Sequence, residues 1–137
     1  MPKVVVSGGF DPVHIGHINL FHEASKLGRL TVIVNNDNWL RAKKGFVFMG
    51  EEERMGIIKA FRFVDATVLS NHEKDPQDMS VSCELQQLKP DIFANGGDRR
   101  SVEDLPESET CEKYGIEMAF NVGGEKVQSS SWLTKRT

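Results

Sequence analysis

The string Gly8-Gly9-Phe10-Asp11-Pro12-Val13-His14-Ile15-Gly16-His17 gathers two imidazoles, three glycines and a carboxylate into ten residues. His14 and His17 are three apart, so at the start of a helix both rings can reach one side. Gly8, Gly9 and Gly16 carry no Cβ, so a ligand can approach the backbone closely. A helix N-terminus adds unpaired N–H groups and about half a positive charge, which favour phosphate. Donor imidazoles at that place would stabilise charge developing on a transferring phosphorus or on a departing pyrophosphate. No serine or cysteine in the string pairs with a base. The stretch therefore suits positioning and charge neutralisation rather than a covalent intermediate.

That chemistry needs a strand to deliver the glycines and a helix to carry the histidines. Lys3 to Ser7 predicts a strand whose continuous Val4-Val5-Val6 run suits burial on both faces. Ile18, Phe21, Ala24 and Leu27 predict a helix over 15–27, with Gly28 behind it. Further strands are expected at 30–35, 66–69, 91–94 and 117–120. Further helices are expected at 51–61, from the Asp75-Pro76 start to Leu88, at 110–114 and at 129–135. Residues 36–48 read as irregular and basic, and 101–107 as a loop. Strands alternating with helices predict an α/β fold, a doubly wound five-stranded parallel sheet forming a single domain over 1–137. Ligands in such folds sit beyond the carboxyl ends of the strands, where strand order reverses. The loops 8–17, 41–45, 95–100 and 122–131 fall at those ends.

Composition narrows the classes. The 137 residues hold 17 Lys+Arg and 20 Asp+Glu, a net charge of −3, which argues against a general nucleic-acid partner. No apolar run approaches the ~20 residues of a membrane span, and the N-terminal run is too short for a secretory signal. Cys83 and Cys111 are far apart and form no framework, which suits a reducing cytoplasm. A nicotinamide-binding fingerprint is absent: the first strand–loop–helix lacks G-x-G-x-x-G and its downstream acid.

GGFDPVHIGH resembles the signature of the His-x-Gly-His nucleotidyltransferase superfamily, in its cytidylyltransferase-like branch. Other segments extend the resemblance: Asn35-Asn36-Asp37, Glu52-Glu53-Arg54, Arg62-Phe63-Val64-Asp65, Asn95-Gly96-Gly97-Asp98 and Gln128-Ser129-Ser130-Ser131. Glycerol-3-phosphate cytidylyltransferases and heptose-1-phosphate adenylyltransferases are the most similar subfamilies. The resemblance implies a Rossmann-like fold and transfer of a nucleotidyl group from CTP or ATP to a phosphorylated sugar or polyol, with release of pyrophosphate. It implies that His14, His17 and Lys44 are catalytic. Gly8, Gly9, Phe10, Asp11, Gly16, Gly96, Gly97, Asp98, Ser129, Ser130 and Ser131 would bind the nucleotide. Lys43, Lys44, Arg54, Arg62 and Arg99 would face the acceptor phosphate, and Asp11 would help place Mg²⁺. It also implies a homodimer, which apolar Phe46-Val47-Phe48 could serve, in the cytoplasm that the cysteine usage suits.

The family's arginine near the final serine motif is missing, with Lys126 or Arg136 as substitutes. That departure leaves a second reading, a nucleotide-binding sensor without catalysis. Several residues have two readings. Arg54 and Arg62 either bind acceptor phosphate or anchor helix ends; Arg99 and Arg100 either contact the acceptor or form surface ion pairs. Trp39 either shields an acceptor pocket or packs in the core. His22 reads as a surface or packing residue, His72 as solvated, and Trp132 as packing or interface.

Overall fold

The structure is a computed structural model, and it describes residues 1–96 and 105–123. Its elements in chain order are β1 (Lys3–Gly8), α1 (Ile15–Ser25), β2 (Arg29–Val34), α2 (Asp37–Lys44), α3 (Glu51–Lys59), β3 (Ala66–Leu69), α4 (Ser82–Leu88), β4 (Ile92–Ala94), α5 (Ser108–Tyr114) and β5 (Glu117–Ala119). The five strands form one parallel sheet in the order β3-β2-β1-β4-β5. The fold is α/β and Rossmann-like, as expected. The chain builds outward from β1 to β3, then returns to the other side of β1. Strand order therefore reverses between β1 and β4, and a crevice opens beyond their carboxyl ends.

Alternation along the central strands sends side chains to opposite faces. Val4, Val6, Val32 and Val34 pack with Phe21 and Ala24 of α1 and Ile58 of α3. Val5, Ile33 and Phe93 pack on the other face with Leu85 of α4 and Cys111 of α5. Burial on both faces is why these strands read as unbroken apolar runs.

Three local expectations are corrected. Helix α1 stops at Ser25, and its four-residue stripe is not one face: Phe21 and Ala24 are buried, whereas Ile18 and Leu27 are exposed. Steps of three fall about 60° short of a full turn each time, so a stripe spaced by three walks around the helix. Residues 37–44 are a helix rather than irregular chain. The Asn36 side chain caps it, accepting from Trp39 N–H at 3.0 Å, and Gly45 ends it at φ 84. Residues 75–81 are not helical. Their backbone groups are taken by side chains instead: Asp78 accepts from Ser80 N–H, Glu107 accepts from Val81 N–H, and Met79 C=O accepts from Trp39 Nε1.

Candidate active site

The two histidines form the start of α1. His14 is the N-cap residue, and its Nδ1 accepts from Gly16 N–H at 3.1 Å. His17 Nδ1 accepts in return from His14 N–H at 3.1 Å. This is a reciprocal capping box built from imidazoles, which usually requires Ser or Thr and then Glu or Gln at the same spacing. The rings stack at 3.8 Å between centroids, with 24° between their planes. A ring nitrogen that accepts from a backbone N–H carries no proton, so each neutral ring holds its proton on Nε2. Phe10 supports the pair from below. It stands edge-on to His17 at 4.8 Å and to Phe21 at 5.4 Å.

The glycines serve a different purpose from the one their composition suggests. A Cβ on Gly8 would lie 2.9 Å from the Phe10 ring, and one on Gly9 would lie 3.0 Å from Trp39 and Leu40. The space left by the missing Cβ atoms is filled by the protein's own rings. Phe10 itself turns at φ 53 and is buried. Gly8 still borders open space, because it lies on the wall of a cavity of about 490 Å³.

That cavity occupies the crevice between the ends of β1 and β4. Ser7, Gly8, His17, Asn95 and Gly96 line one part of it. Asn35, Trp39 and Lys43 line another, facing Met79, Val81 and Glu107 from the loops before α4 and α5. Trp39 both lines this cavity and packs against Gly9. The wall is partly held by a buried histidine, which corrects the solvated reading of His72. Its Nε2 contacts Ser80 C=O at 2.8 Å and its Nδ1 contacts Ser70 Oγ at 2.7 Å. Two hydrogen bonds from Ser80, hydroxyl and N–H, hold the Asp78 carboxyl below the usual carboxylate range, and His72 adds to the same effect.

The other sequence-derived residues are placed as follows. Asp11 is buried, and its carboxylate accepts from Phe48 N–H at 2.7 Å and from Met49 N–H. Lys44 Nζ donates to Asp11 C=O at 2.7 Å and lies 3.5 Å from its carboxylate. Asp11 and Lys44 therefore pin the 46–49 loop against the histidine loop, and Lys43 is the lysine on the cavity wall. Arg54 is 1% exposed and anchors rather than faces a ligand. Its guanidinium donates to Gly9 C=O, Asn35 C=O, Met49 C=O and the Asp37 carboxylate. Arg62 is exposed, 5.2 Å above the Phe63 ring, and His22 stacks on that same ring at 4.6 Å. Gly97, Asp98, Arg99, Arg100, Lys126, Ser129, Ser130, Ser131, Trp132, Arg136 and the helix expected at 129–135 lie outside the described residues.

Sequence reasoning did not single out Asn35, Met79, Val81 or Glu107 as site residues. Asn35 had a signal of its own: a polar residue directly behind five apolar or β-branched ones, at a strand's carboxyl end.

Among the described residues, no three His, Cys, Asp or Glu side chains are grouped to hold a metal ion. The Asp11 carboxylate is fully engaged by amides and Lys44, so it does not fit the role of a magnesium ligand. No helix of the described residues is long and apolar enough to cross a membrane.

Residues 5–131 match the cytidylyltransferase-like family. The FAD synthase of Methanobrevibacter smithii is 34% identical over 104 residues, covering 73% of this chain and 65% of that protein. The bifunctional protein HldE of Koribacter versatilis is 37% identical over 98 residues, covering 69% of this chain and 19% of that protein. The chain thus spans less than two thirds of the length of either relative. The lipopolysaccharide core biosynthesis protein of Thermoplasma volcanium has a similar structure, with a TM-score of 0.70 and 30% identity, covering 88% of this chain and 93% of that one.

Proposed function

The chain belongs to the cytidylyltransferase-like family, and from that premise we propose that it is a nucleotidyltransferase that moves a nucleotidyl group from a nucleoside triphosphate to a phosphate-bearing acceptor. The carrying observation is the stacked pair of Nε2–H imidazoles at the head of α1, with His17 on the wall of the crevice where strand order reverses. A phosphate oxygen of the acceptor attacks the α-phosphorus in line. The bond from the α-phosphorus to the bridging oxygen breaks, and pyrophosphate leaves with that electron pair. His14 and His17 donate to the phosphate oxygens that gain charge, and their fixed orientation means little reorganisation during the reaction. Lys43, also on the cavity wall, supplies a compact cation for phosphate charge.

ATP is the donor supported by the names of the relatives, since FAD contains an adenylyl group. A phosphorylated sugar or polyol is the proposed acceptor; the ribityl phosphate of a flavin nucleotide is also a polyol phosphate. Enzymes of this kind generally use a divalent metal. Because the described side chains do not form a site for one, Mg²⁺ is proposed to accompany the triphosphate. A homodimer is proposed through exposed Phe46 and Phe48, and sedimentation as a monomer would overturn it.

The test combines ATP or CTP, Mg²⁺ and a panel of sugar phosphates, polyol phosphates and FMN. The proposal expects pyrophosphate release with at least one pair. Tight nucleotide binding without release across the panel would instead identify a binding module.

A further inference from the structure

His72 is buried, yet it is not among the residues that line the cavity. Its ring stands behind the wall and ties together pieces of chain that meet there. A carbonyl can only accept, so the 2.8 Å contact with Ser80 C=O places a proton on Nε2. In the neutral ring Nδ1 then accepts from the Ser70 hydroxyl at 2.7 Å, and Ser70 Oγ accepts in turn from Asn36 N–H at 2.9 Å. The His72 backbone is held to the same helix start, since its C=O accepts from Asn36 Nδ2 at 2.8 Å and from Asn38 Nδ2 at 3.0 Å. Donation thus runs one way, from the N-cap of α2, through Ser70 and the imidazole, to the chain between Met79 and Val81.

Those two neighbours of Ser80 are cavity residues, and both are fixed to other parts of the wall. Met79 C=O accepts from Trp39 Nε1 at 2.8 Å, and Val81 N–H donates to Glu107 Oε2 at 2.9 Å. Trp39 is therefore held at both ends, its backbone N–H by Asn36 Oδ1 and its indole N–H by Met79 C=O. The His72 ring links these two anchors, because Asn36 stands on its Ser70 side and Met79 next to Ser80. Residues 71–80 form no helix or strand that would fix their course, so the buried imidazole bonds carry that function.

We propose that His72 is a positioning residue for the acceptor: it sets the Trp39–Met79–Val81 wall against which the acceptor packs, and touches no substrate itself. The inference rests on the nucleotidyltransferase reading. The triphosphate belongs with the imidazoles of α1, in the part of the cavity lined by Gly8, His17 and Asn95. The part lined by Trp39 and Met79, with Lys43 one turn along α2 from Trp39, is left for the second substrate. An indole and a thioether beside an ammonium suit an acceptor with an apolar face and a phosphate.

The test compares His72→Gln with His72→Asn on the full chain. The glutamine amide reaches the place of Nε2 and can donate to Ser80 C=O, whereas the asparagine amide is one methylene shorter and cannot. Both remove the ring, so a purely structural loss would affect the two alike. Three readouts are taken: kcat and KM with glycerol 3-phosphate and FMN, binding of each and of ATP by calorimetry, and Trp39 emission in a Trp132→Phe background. His72→Asn is expected to raise acceptor KM and Kd about tenfold, while kcat at saturating acceptor and ATP affinity stay within about twofold. His72→Gln should bring acceptor KM back to within about threefold of the wild type. Trp39 emission should shift in the asparagine protein and not in the glutamine one. Should the asparagine protein fail to fold, Ser70→Ala takes its place, cutting the same chain at the hydroxyl with the ring retained. Equal acceptor KM in the variants and the wild type, an equal rise in both His72 variants, an ATP affinity weakened alongside, or unmoved Trp39 emission would overturn the inference, as would a wild type that binds neither acceptor. Acceptor binding that depends on His72 in this way without any pyrophosphate release would sink the nucleotidyltransferase reading and leave the positioning role standing. Release with an unmoved acceptor KM would do the reverse.

Discussion

His14 and His17 each use Nδ1 to satisfy a backbone N–H at the start of α1, so removing either ring acts on stability and chemistry together. The two effects can be separated. Asparagine is a good N-cap residue, whereas loss of a cap costs about 1 kcal/mol. We expect His14→Asn to melt close to the wild type while pyrophosphate release falls; retained activity would remove that ring from the chemistry. His17→Ala should lower kcat by about 10²-fold or more, the effect of deleting one aligned transition-state donor. The cysteines give a second contrast at this scale. Cys83 is exposed and Cys111 is buried. Burial, with the Glu107 carboxylate assisting, pushes the Cys111 thiol from 9.0 to about 11. At pH 8 a thiol reagent should therefore label Cys83 alone until the protein is unfolded. The raised thiol favours the folded state below pH 9.0, and that contribution erodes between 9.0 and about 11. The urea midpoint should fall over that range by less in Cys111→Ala. The imidazole spacing was legible in the sequence because three residues on a helix share a side. The use of Gly8 and Gly9 was not, because the Phe10 and Trp39 rings that fill their space arrive there only through the fold.

At the scale of elements, one buried guanidinium joins four pieces of chain: the loop after β1, the end of β2, the start of α2 and the segment before α3. Arg54→Leu leaves three carbonyls and the Asp37 carboxylate without their donor. Breaking a buried pair of this kind typically costs about 3–5 kcal/mol. A compact ammonium cannot reproduce the fork, so Arg54→Lys should recover little of it in urea denaturation. Recovery to near wild-type stability would show that charge alone suffices there. Residue types left both readings of Arg54 open, since a phosphate-binding arginine and an anchoring one look alike until the surrounding carbonyls are seen. Helix α2 was legible but not read: Asn36 as cap, Asp37 in the first turn, basic residues in the last turn and Gly45 at the end are ordinary boundary signals. The 75–81 segment was less legible. Asp75-Pro76 does mark a turn, but partners 40 residues earlier, for Met79, and 26 later, for Val81, decide that it stays a loop.

For the whole molecule, a sheet with β1 at its centre and helices on both faces follows from strands that are apolar throughout, which is why the fold class was legible. The shape of the cavity was not, because two of its walls come from loops far apart in the chain, near residues 79–81 and 105–107. Ligand linkage provides a test at this scale. ATP at about 100 times its Kd should raise unfolding free energy by about 2.7 kcal/mol. The same concentration should stabilise His17→Ala less, because its affinity is lower. Equal stabilisation of both proteins would indicate that nucleotide does not rest on that ring. The doubled imidazole cap also limits how this scaffold can diversify. The rings that begin the first helix through Nδ1 are the rings proposed to meet phosphate through Nε2, so a change of substrate that spares this helix would have to come from the other lining residues.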